Sequence, residues 1–350
     1  MVGPLIGAIE AGGTKIVCAV ASSLEEILEV EPHVVATTDP FATIGEVLDY
    51  FAPFAASGDL AAIGIGSFGP VDHPTTTVTR TTPKVAWRGF HWGQAIRPVL
   101  DDLPIGFDTD TNAAVLAEAT FGAGRGDAIV VYVTVGTGIG GGIAIDGQPL
   151  HGLLHSELGH MVVPRDPADV FSGSCPHHGD CLEGLASGAA MAARWGQPAE
   201  TLQSGHRAFD LEATYLTAMC VTITTMLAPS RIVLGGGVAA VPGLLSEVQQ
   251  RTAASLNGYL ALDRYTTGIE DYIVRPLLTG RSGITGAWLL GRNALEASAL
   301  GEQRPQPLTG VALRNGRHVL WRPLSDDQST ATSTLRSEVD DPVAALDHIE

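Results

Sequence analysis

Two hairpins with glycine-rich turns constrain the fold of this chain more than any other feature of its sequence. In the first, strands predicted at residues 5–10 and 16–21 are joined by the turn GGTK. In the second, the run IVVYVTV at 129–135 passes through GTGIGGG into a second strand, IAIDG. Glycine permits tight turns, and the Ile, Val and Ala residues on either side favour extended backbone. The sequence therefore predicts one glycine-turned hairpin in each half of the chain.

Neither of the common phosphate-binding motifs fits these turns. A Walker-type loop needs a helix after its lysine, but Lys15 is followed by the β-branched pair Ile16-Val17, which favours a strand. A dinucleotide-binding fingerprint also needs a helix after its glycines, and the second turn leads into a strand instead. A third glycine run, at 235–237, follows a short strand predicted at 232–234. Three such runs in this order indicate backbone amides that converge on phosphate rather than three unrelated tight turns.

The length and the apolar content of the chain favour two domains. With 350 residues, of which 45% are hydrophobic, the chain is longer than one ordinary core requires, and a single large lobed domain is the alternative.

Residues 77–94 are turn-rich and aromatic, and we interpret them as a binding loop between lobes. From about Gly301 the composition shifts to Gln, Pro, Ser, Thr and acids, and the tail from Ser325 is predicted to be mobile. Further strands are predicted at 59–67 and 103–108, and helices at 112–121, 211–227, 243–256 and 284–299.

The charge of the chain argues against two classes of partner. Twenty Lys and Arg residues stand against 38 Asp and Glu, a net charge of −18, so neither nucleic acid nor an anionic membrane is expected as the main partner. Phosphate must then be bound by local backbone amides and a few chosen cations. The sequence shows neither a signal-like basic and apolar start nor a run of about 18 apolar residues, so a cytoplasmic location is expected.

A cluster of metal-binding residue types lies in CPHHGDCLEG, residues 175–184. Two of the four cysteines of the chain and two histidines fall within seven residues there. In a reducing compartment a close cysteine pair more often binds metal than forms a disulfide. Cys175 and Cys181 are therefore predicted metal ligands, and spacing alone does not decide between His177 and His178 as another.

Taken together, the motifs of this chain resemble those of one family. The segments AIEAGGTK, GSFGP, DTDTNAA, VTVGTGIGGG and LGGGV occur in the order typical of the ROK family of bacterial sugar kinases, within the actin-like superfamily. The stretches HSELGHMVVP and CPHHGDCLEGLASG resemble the fructokinase branch, and the likeness covers roughly residues 5–295. It implies an α/β fold of two lobes, each an RNase H-like mixed sheet flanked by helices, with ATP and a hexose in the cleft. The implied N-terminal lobe is 1–114 plus a returning helix at about 284–300, the C-terminal lobe with its zinc-binding loop is 115–283, and 301–350 is a partly mobile tail.

The resemblance assigns roles to the residues around the glycine turns. Asp110 in DTDTNAA matches the catalytic carboxylate, which accepts the proton of the attacking sugar hydroxyl; a helix N-cap is the alternative from the residues alone. Glu10 takes the place of an Asp that lies near Mg²⁺ in many relatives. For Lys15, the alternative to a phosphate-binding role is that of an exposed lysine in the turn. The β- and γ-phosphates are assigned to Gly12, Gly13, Thr14 and Lys15 and, from the opposite lobe, to Gly136, Thr137 and Gly138, and the adenosine to Gly235, Gly236 and Gly237.

The resemblance also connects the metal cluster with the sugar. The family pattern CPxHxxC favours His178 over His177, and a Cys2His2 set suits closed, tetrahedral, structural Zn²⁺. Such an ion would pin two acidic side chains from separate segments around one pocket. The expected zinc ligands are His160, Cys175, His178 and Cys181, and the expected sugar contacts are Asn112, Glu157 and Glu183, with capping as the alternative for Asn112.

The implied function is phosphorylation of D-fructose at its 6-hydroxyl, using ATP and Mg²⁺, by a homodimer. A glucokinase, mannokinase or broad hexokinase on the same scaffold is the alternative. Ser156 and Ala189 depart from the family pattern near the sugar, which bears on sugar choice more than on activity. A ROK repressor is disfavoured because the first hairpin begins at Leu5, leaving no room ahead of it for a DNA-binding segment, and because the charge does not suit DNA. A non-catalytic actin-like structural protein is also disfavoured, because it would not need Asp110 together with the two sugar-binding acids.

Overall fold

The chain divides into two structural units, Met1–Glu302 and Gln303–Glu350. The computed structural model describes residues 3–100, 102–203, 205–301, 312–315 and 318–321. In the second unit two short strands, Ala312–Asn315 and His318–Trp321, pair antiparallel. The sequence did not predict these strands, and the tail predicted to be mobile from Ser325 lies outside the described residues.

The first unit contains the two predicted hairpins and helices around them. In chain order its strands are β1 (Leu5–Ala11), β2 (Lys15–Ala21), β3 (His33–Ala36), β4 (Leu60–Ser67), β5 (Val71–Asp72), β6 (Thr77–Val78), β7 (Ile105–Thr109), β8 (Ile129–Val135), β9 (Ile139–Ile145), β10 (Gln148–Pro149), β11 (Arg231–Gly235) and β12 (Ile273–Val274). Its α-helices are α1 (Leu24–Glu29), α2 (Pro40–Ser57), α3 (Trp92–Leu100), α4 (Asp110–Thr120), α5 (Leu182–Ala186), α6 (Gly188–Trp195), α7 (Arg207–Leu227), α8 (Leu244–Leu256), α9 (Ile269–Tyr272) and α10 (Ser282–Ala299). None of the helices in the described part of the chain combines the length and apolar character that a membrane span needs.

Two mixed sheets with the same strand pattern form the framework of this unit. Their strand orders are β3-β2-β1-β4-β7 and β10-β9-β8-β11-β12. Each sheet contains a glycine-turned antiparallel hairpin, β1-β2 in the first sheet and β8-β9 in the second. The first strand of each hairpin also pairs with a parallel strand, β1 with β4 and β8 with β11. The predicted α/β fold with two mixed sheets is therefore confirmed. Because β1, β4 and β7 are parallel, the turns that follow them meet at one edge of the first sheet.

The second hairpin differs from its prediction at the start of its second strand. The sequence placed that strand after the glycines, whereas β9 begins at Ile139 and includes Gly140, Gly141 and Gly142. A Cβ on Gly141 would lie 2.2 Å from the Leu158 side chain, and one on Gly142 would lie 2.5 Å from the Thr111 carbonyl oxygen. These glycines therefore belong to the strand and allow α4 to approach its backbone.

The last helix, α10, packs against β1, β4 and β7 of the first sheet and against α4. Its contact is unusually close, since a Cβ on Gly64 would lie 1.8 Å from the Ala287 carbonyl oxygen. A Cβ on Gly286 would likewise lie 1.8 Å from the Ala113 carbonyl oxygen. Small residues therefore hold α10 and α4 in position at the edge where the turns after β1 and β7 lie. The predicted lobe boundaries at 114 and 283 stay a prediction.

Residues 77–94, interpreted from the sequence as a binding loop, contain more structure than predicted. They include β6, a 3₁₀ turn at Val85–Trp87 and the first turn of α3. Trp87 and Trp92 are 1% and 0% exposed, and they stack with ring centroids 5.9 Å apart. The tryptophans of this segment therefore fill the core of the first sheet. Because a sequence pattern does not separate a buried aromatic cluster from an exposed one, their place could not be predicted.

Candidate active site

A cleft of about 640 Å³ brings together most of the predicted site residues. Both glycine turns, the turn after β4 and the segment with the cysteines contribute to its walls. The predicted residues that line it are Gly13, Thr14, Asp110, Gly136, Thr137, Gly138, Glu157, His160, Cys175 and Glu183. The predicted residues outside its lining are Glu10, Gly12, Lys15, Asn112, His178, Cys181, Gly235, Gly236 and Gly237.

Asp110 is the first residue of α4 and faces the cleft. The N-cap of this helix is Thr109, whose Oγ1 accepts a hydrogen bond of 3.0 Å from the Asn112 amide. The N-cap position of this helix therefore belongs to Thr109, and Asp110, whose Oδ1 accepts a hydrogen bond of 2.8 Å from the Thr111 amide, lines the cleft. Burial raises the pKa of Asp110 to about 7, and the nearby carboxylate of Glu10 adds to the rise. A carboxyl group with such a pKa can accept a proton near neutral pH.

Glu10, at the end of β1, lies behind the cleft rather than in its lining. Its carboxylate sits against the start of α10, because a Cβ on Gly283 would lie 2.3 Å from the carboxylate of Glu10. The backbone of Ile284 favours its charged form, and anions are stabilised at such helix N-termini. Burial nevertheless raises the pKa of Glu10, with the charge of Lys15 opposing the rise.

The turn of the first hairpin presents Gly13 and Thr14 to the cleft, but not its lysine. Lys15 is exposed at the start of β2, which agrees with its alternative interpretation as a turn lysine in this structure. A different lysine, Lys84, lines the cleft beside the same turn. The sequence placed Lys84 only within a binding loop, because its approach to Gly13 depends on a contact between segments about 70 residues apart.

The turn of the second hairpin is held against α6. The amides of Gly188 and Ala189 donate hydrogen bonds of 2.7 and 3.2 Å to the carbonyl oxygens of Gly136 and Thr137. At the end of the turn, the amide of Ile139, the first residue of β9, donates a hydrogen bond of 2.9 Å to Glu183 Oε2. The glycine turn and an expected sugar-binding acid are therefore fixed to each other.

His160, Cys175, His178 and Cys181 form a compact cluster of potential metal ligands. Their four ligand atoms lie within 4.8 Å of one another. The His160 Nδ1 atom lies 3.5 Å from Cys181 Sγ and 3.7 Å from Cys175 Sγ, and His178 Nδ1 lies 3.7 Å from Cys175 Sγ. Usual Zn–S and Zn–N distances in a tetrahedron imply sulfur–nitrogen separations of about 3.5 Å. The donor set and its spacing fit Zn²⁺, with His178 rather than His177 in the cluster.

His160 connects this cluster with the two acids of the cleft. While its Nδ1 faces the thiols, its Nε2 lies 4.0 Å from Glu157 Oε2 and 3.9 Å from Glu183 Oε1. Burial raises the pKa of Glu157 to about 7, and the charge of Glu183 adds to the rise. The two carboxylates therefore share one end of the cleft, and the cluster fixes the ring between them.

His155 also belongs to this end of the cleft, although the sequence analysis assigned it no role. Its Nε2 accepts a hydrogen bond of 3.0 Å from the Val71 amide, and its Nδ1 lies 3.4 Å from Glu157 Oε1. Since Nε2 accepts, Nδ1 carries the proton that faces Glu157. Burial lowers the pKa of His155, which favours this neutral form. The first histidine of HSELGH was the available signal, but its partner Val71 lies on a distant segment.

Asn112 is buried away from the cleft, at 1% exposure. Its Nδ2 donates to Asp108 Oδ1 at 2.8 Å, and the other oxygen of Asp108 lies 2.8 Å from His151 Nε2. These contacts tie α4 to β7 and to the loop that leads to Glu157. The predicted sugar contact of Asn112 stays a prediction, and the structure gives this residue a supporting position.

A second cavity, of about 630 Å³, lies beside the third glycine run. Gly237 lines it together with apolar and charged side chains of α7 and α8. Gly235 and Gly236 do not line it: a Cβ on Gly235 would lie 2.8 Å from the Tyr132 hydroxyl, and Gly236 has a φ of +93°. Of the predicted adenosine contacts, Gly237 is therefore the one that lines this cavity.

Comparisons with known proteins agree with this geometry. The ROK family model matches residues 6–293 of the chain. A protein of Bacillus subtilis is 42% identical over 299 residues, which cover 84% of this chain and 98% of that protein. A fructokinase of Zymomonas mobilis is 39% identical over 297 residues, covering 82% and 96%. The solved structure of a ROK family glucokinase from Streptomyces griseus, in complex with glucose and AMPPNP, has a TM-score of 0.64 and 26% identity, covering 83% of this chain and 99% of that one.

Proposed function

Because the chain belongs to the ROK family, we propose that it transfers the γ-phosphoryl group of ATP to the 6-hydroxyl of D-fructose. Phosphorylation of a sugar follows from the family and from relatives named as fructokinases. The observation that carries the finer proposal is the position of Asp110, which faces one cleft together with both glycine turns and with Glu157 and Glu183. That cleft thus combines a base, phosphate-binding amides and acceptors for sugar hydroxyls.

In the proposed reaction Asp110 accepts the proton of the sugar hydroxyl. The 6-oxygen forms a bond to the γ-phosphorus while the bond from that phosphorus to the bridging oxygen breaks. The electron pair of the broken bond leaves with ADP, and the proton moves to the Asp110 carboxylate. The raised pKa of Asp110 suits this role, since an effective base titrates close to the working pH.

The two glycine turns would hold the phosphates from opposite sides. The amides at Gly13 and Thr14 and those of the Gly136–Gly138 turn face the same cleft, where glycine allows close approach of an anion. A bound Mg²⁺ would neutralise phosphate charge, and Glu10 is the carboxylate that would hold it through water. The cavity beside Gly237 is the proposed site of the adenosine.

Glu157 and Glu183 are the proposed acceptors for the remaining sugar hydroxyls. The Cys2His2 cluster would hold a structural Zn²⁺ whose role is to fix His160 between them. Positioning of the sugar then depends on the metal, whereas the phosphates are held at the glycine turns.

The acceptor atom is tested with 6-deoxyfructose in place of fructose. If the 6-hydroxyl is the nucleophile, ADP release should not rise above the rate without sugar, although the analogue should still inhibit competitively with fructose. Turnover of 6-deoxyfructose at a rate comparable to that of fructose would show that another hydroxyl is phosphorylated.

A further inference from the structure

Lys84 has a position in the cleft that the roles assigned so far do not use. It lies just before the 3₁₀ turn Val85–Trp87, and it is the one Lys or Arg among the described residues that line the cleft. We propose that Lys84 binds the phosphoryl group while it is transferred, and afterwards holds it in the sugar phosphate product. This inference rests on the proposed kinase function and names a further catalytic residue for it.

The contacts of Lys84 place its ammonium group between the phosphates and the sugar. On one side is the turn of the first hairpin: a Cβ on Gly13 would lie 3.4 Å from Lys84 Cε and 3.8 Å from Nζ. On the other side is the turn after β4, where Nζ lies 5.6 Å from the centre of the Phe68 ring. That turn continues to Gly69, where a Cβ would lie 3.7 Å from Glu157 Oε1. The phosphoryl group must pass through this space between Gly13 and Glu157 when it is transferred from nucleotide to sugar.

The backbone of Lys84 is held in place from both sides. Its carbonyl oxygen accepts a hydrogen bond of 2.9 Å from the Trp87 amide, and its own amide is 3.5 Å from Thr82 Oγ1. The Trp87 ring is buried, and its Nε1 donates to the Thr38 carbonyl oxygen at 2.9 Å. The buried tryptophan therefore anchors the segment while the lysine side chain remains in the cleft. A positioned charge needs no reorganisation when the transition state forms.

The charge of the cleft calls for a cation at this point. Asp110, Glu157 and Glu183 line it with three carboxyl groups, and the bound nucleotide would add the charge of its phosphates. Lys84 takes part in none of the ion pairs found among the described residues. Burial lowers the pKa of Lys84, which means that its ammonium group is only partly hydrated. Such a group gains more from an anion than a fully hydrated surface lysine does.

The expected effect of Lys84 is on the transition state and the product rather than on the free sugar. As the bond to the bridging oxygen breaks and the bond to the sugar 6-oxygen forms, the transferred group keeps its charge on three equatorial oxygens. A cation beside it stabilises that group both in transit and on the sugar. Unphosphorylated sugar offers Lys84 no anion, so its affinity should change little.

The test compares Lys84→Met, Lys84→Arg and the control Arg80→Met, using the best hexose among fructose, glucose and mannose. Arg80 is exposed on the same segment and outside the cleft. Lys84→Met should lower kcat about 10²-fold, with the KM of the sugar within about twofold of the wild type. Its affinity for the 6-phosphate product should fall roughly tenfold or more. Lys84→Arg should regain much of the product affinity, and Arg80→Met should match the wild type.

Each outcome separates this inference from the proposed function. Near-normal kcat in a folded Lys84→Met variant would overturn the role of Lys84 alone. So would an equal loss of affinity for sugar and product, since that pattern indicates a displaced segment. A wild type that phosphorylates none of the hexoses would overturn the proposed function and the role of Lys84 with it. Near-ultraviolet circular dichroism of the three variants checks that the Trp87 packing is retained.

Discussion

At the scale of single residues, the environment of Asp110 decides what its carboxyl group can do. Thr109 is the N-cap of α4, and Asp110 Oδ1 accepts a hydrogen bond of 2.8 Å from the Thr111 amide at the start of the same helix. Burial and the charge of Glu10 raise the pKa of Asp110. Asp110 also lines the same cleft as both glycine turns. The motif DTDTNAA allowed a base or a cap at this position. The structure gives the N-cap position to Thr109, and the role of Asp110 as the base stays a proposal.

Replacing Asp110 by Asn should leave the fold intact and remove the proton acceptor. We expect kcat to fall about 10²- to 10⁴-fold, the usual effect of a lost general base, with ATP affinity nearly unchanged. Asp49→Asn, an exposed change on α2, serves as the matched control. Turnover within a few-fold of the wild type in well-folded Asp110→Asn would refute the assignment.

The pH dependence of the reaction should report the same group. A base with a pKa of about 7 loses its proton above that value, so the active carboxylate form of Asp110 is depleted as the pH falls. We expect kcat/KM for the sugar to drop about tenfold for each pH unit well below 7, and to level off above it. The residual activity of Asp110→Asn should lack this limb. A wild-type profile that stays flat down to pH 5 would be inconsistent with Asp110 as the base.

At the scale of elements, the strands and helices that carry the site were largely predictable, and their close contacts were not. Glycine-rich turns between runs of Ile, Val and Ala predicted both hairpins. The same pattern did not show that Gly140–Gly142 are part of a strand, because that depends on α4 packing against it. Helix α2 was missed although Asp39 followed by Pro40 is a typical helix start.

The packing of α4 on β9 can be tested at Gly142. A Cβ there would lie 2.5 Å from a backbone oxygen, which cannot move as a side chain can. Gly142→Ala should therefore destabilise the protein by about 1–3 kcal/mol, seen as a lower midpoint of urea unfolding. Gly45→Ala in α2 is the control, because nothing lies within 4 Å of its Cβ position and alanine favours a helix. Equal midpoints for the two variants would contradict the close approach.

The metal cluster can be tested with its two adjacent histidines. Both His177 and His178 are exposed, but only His178 has a ring nitrogen in the cluster. We expect one zinc ion per wild-type chain, retained in His177→Ala and weakened or lost in His178→Ala, as measured by elemental analysis. His178→Ala should also weaken sugar binding more than ATP binding, because His160 loses its fixed position. Loss of zinc in His177→Ala alone would reverse the assignment, and metal-free active wild type would refute the site.

At the scale of the whole molecule, the order of the motifs predicted more than any one motif did. Five short segments spread over the first unit indicated two mixed sheets around a cleft, and the structure contains both sheets. Lys84 and His155 were not predicted as site residues, since each gains its meaning from a contact between distant segments. The homodimer stays a prediction from the resemblance, and the cytoplasmic location stays a prediction from the sequence. The net charge of −18 is consistent with the proposal that backbone amides and Lys84 bind the phosphates in the cleft.

The central claim is that this kinase acts on fructose, and kcat/KM for fructose, glucose and mannose with ATP tests it most directly. In the proposed function the glycine turns bind the phosphates whatever the sugar, so selectivity should come from the groups around Glu157 and Glu183. A wrong sugar that leaves one or two of these groups unpaired should lose about 10- to 10³-fold in kcat/KM. We expect the highest kcat/KM for fructose, with some turnover of mannose. A higher value for glucose would contradict the fructose assignment, even with the zinc cluster and Asp110 in their proposed roles.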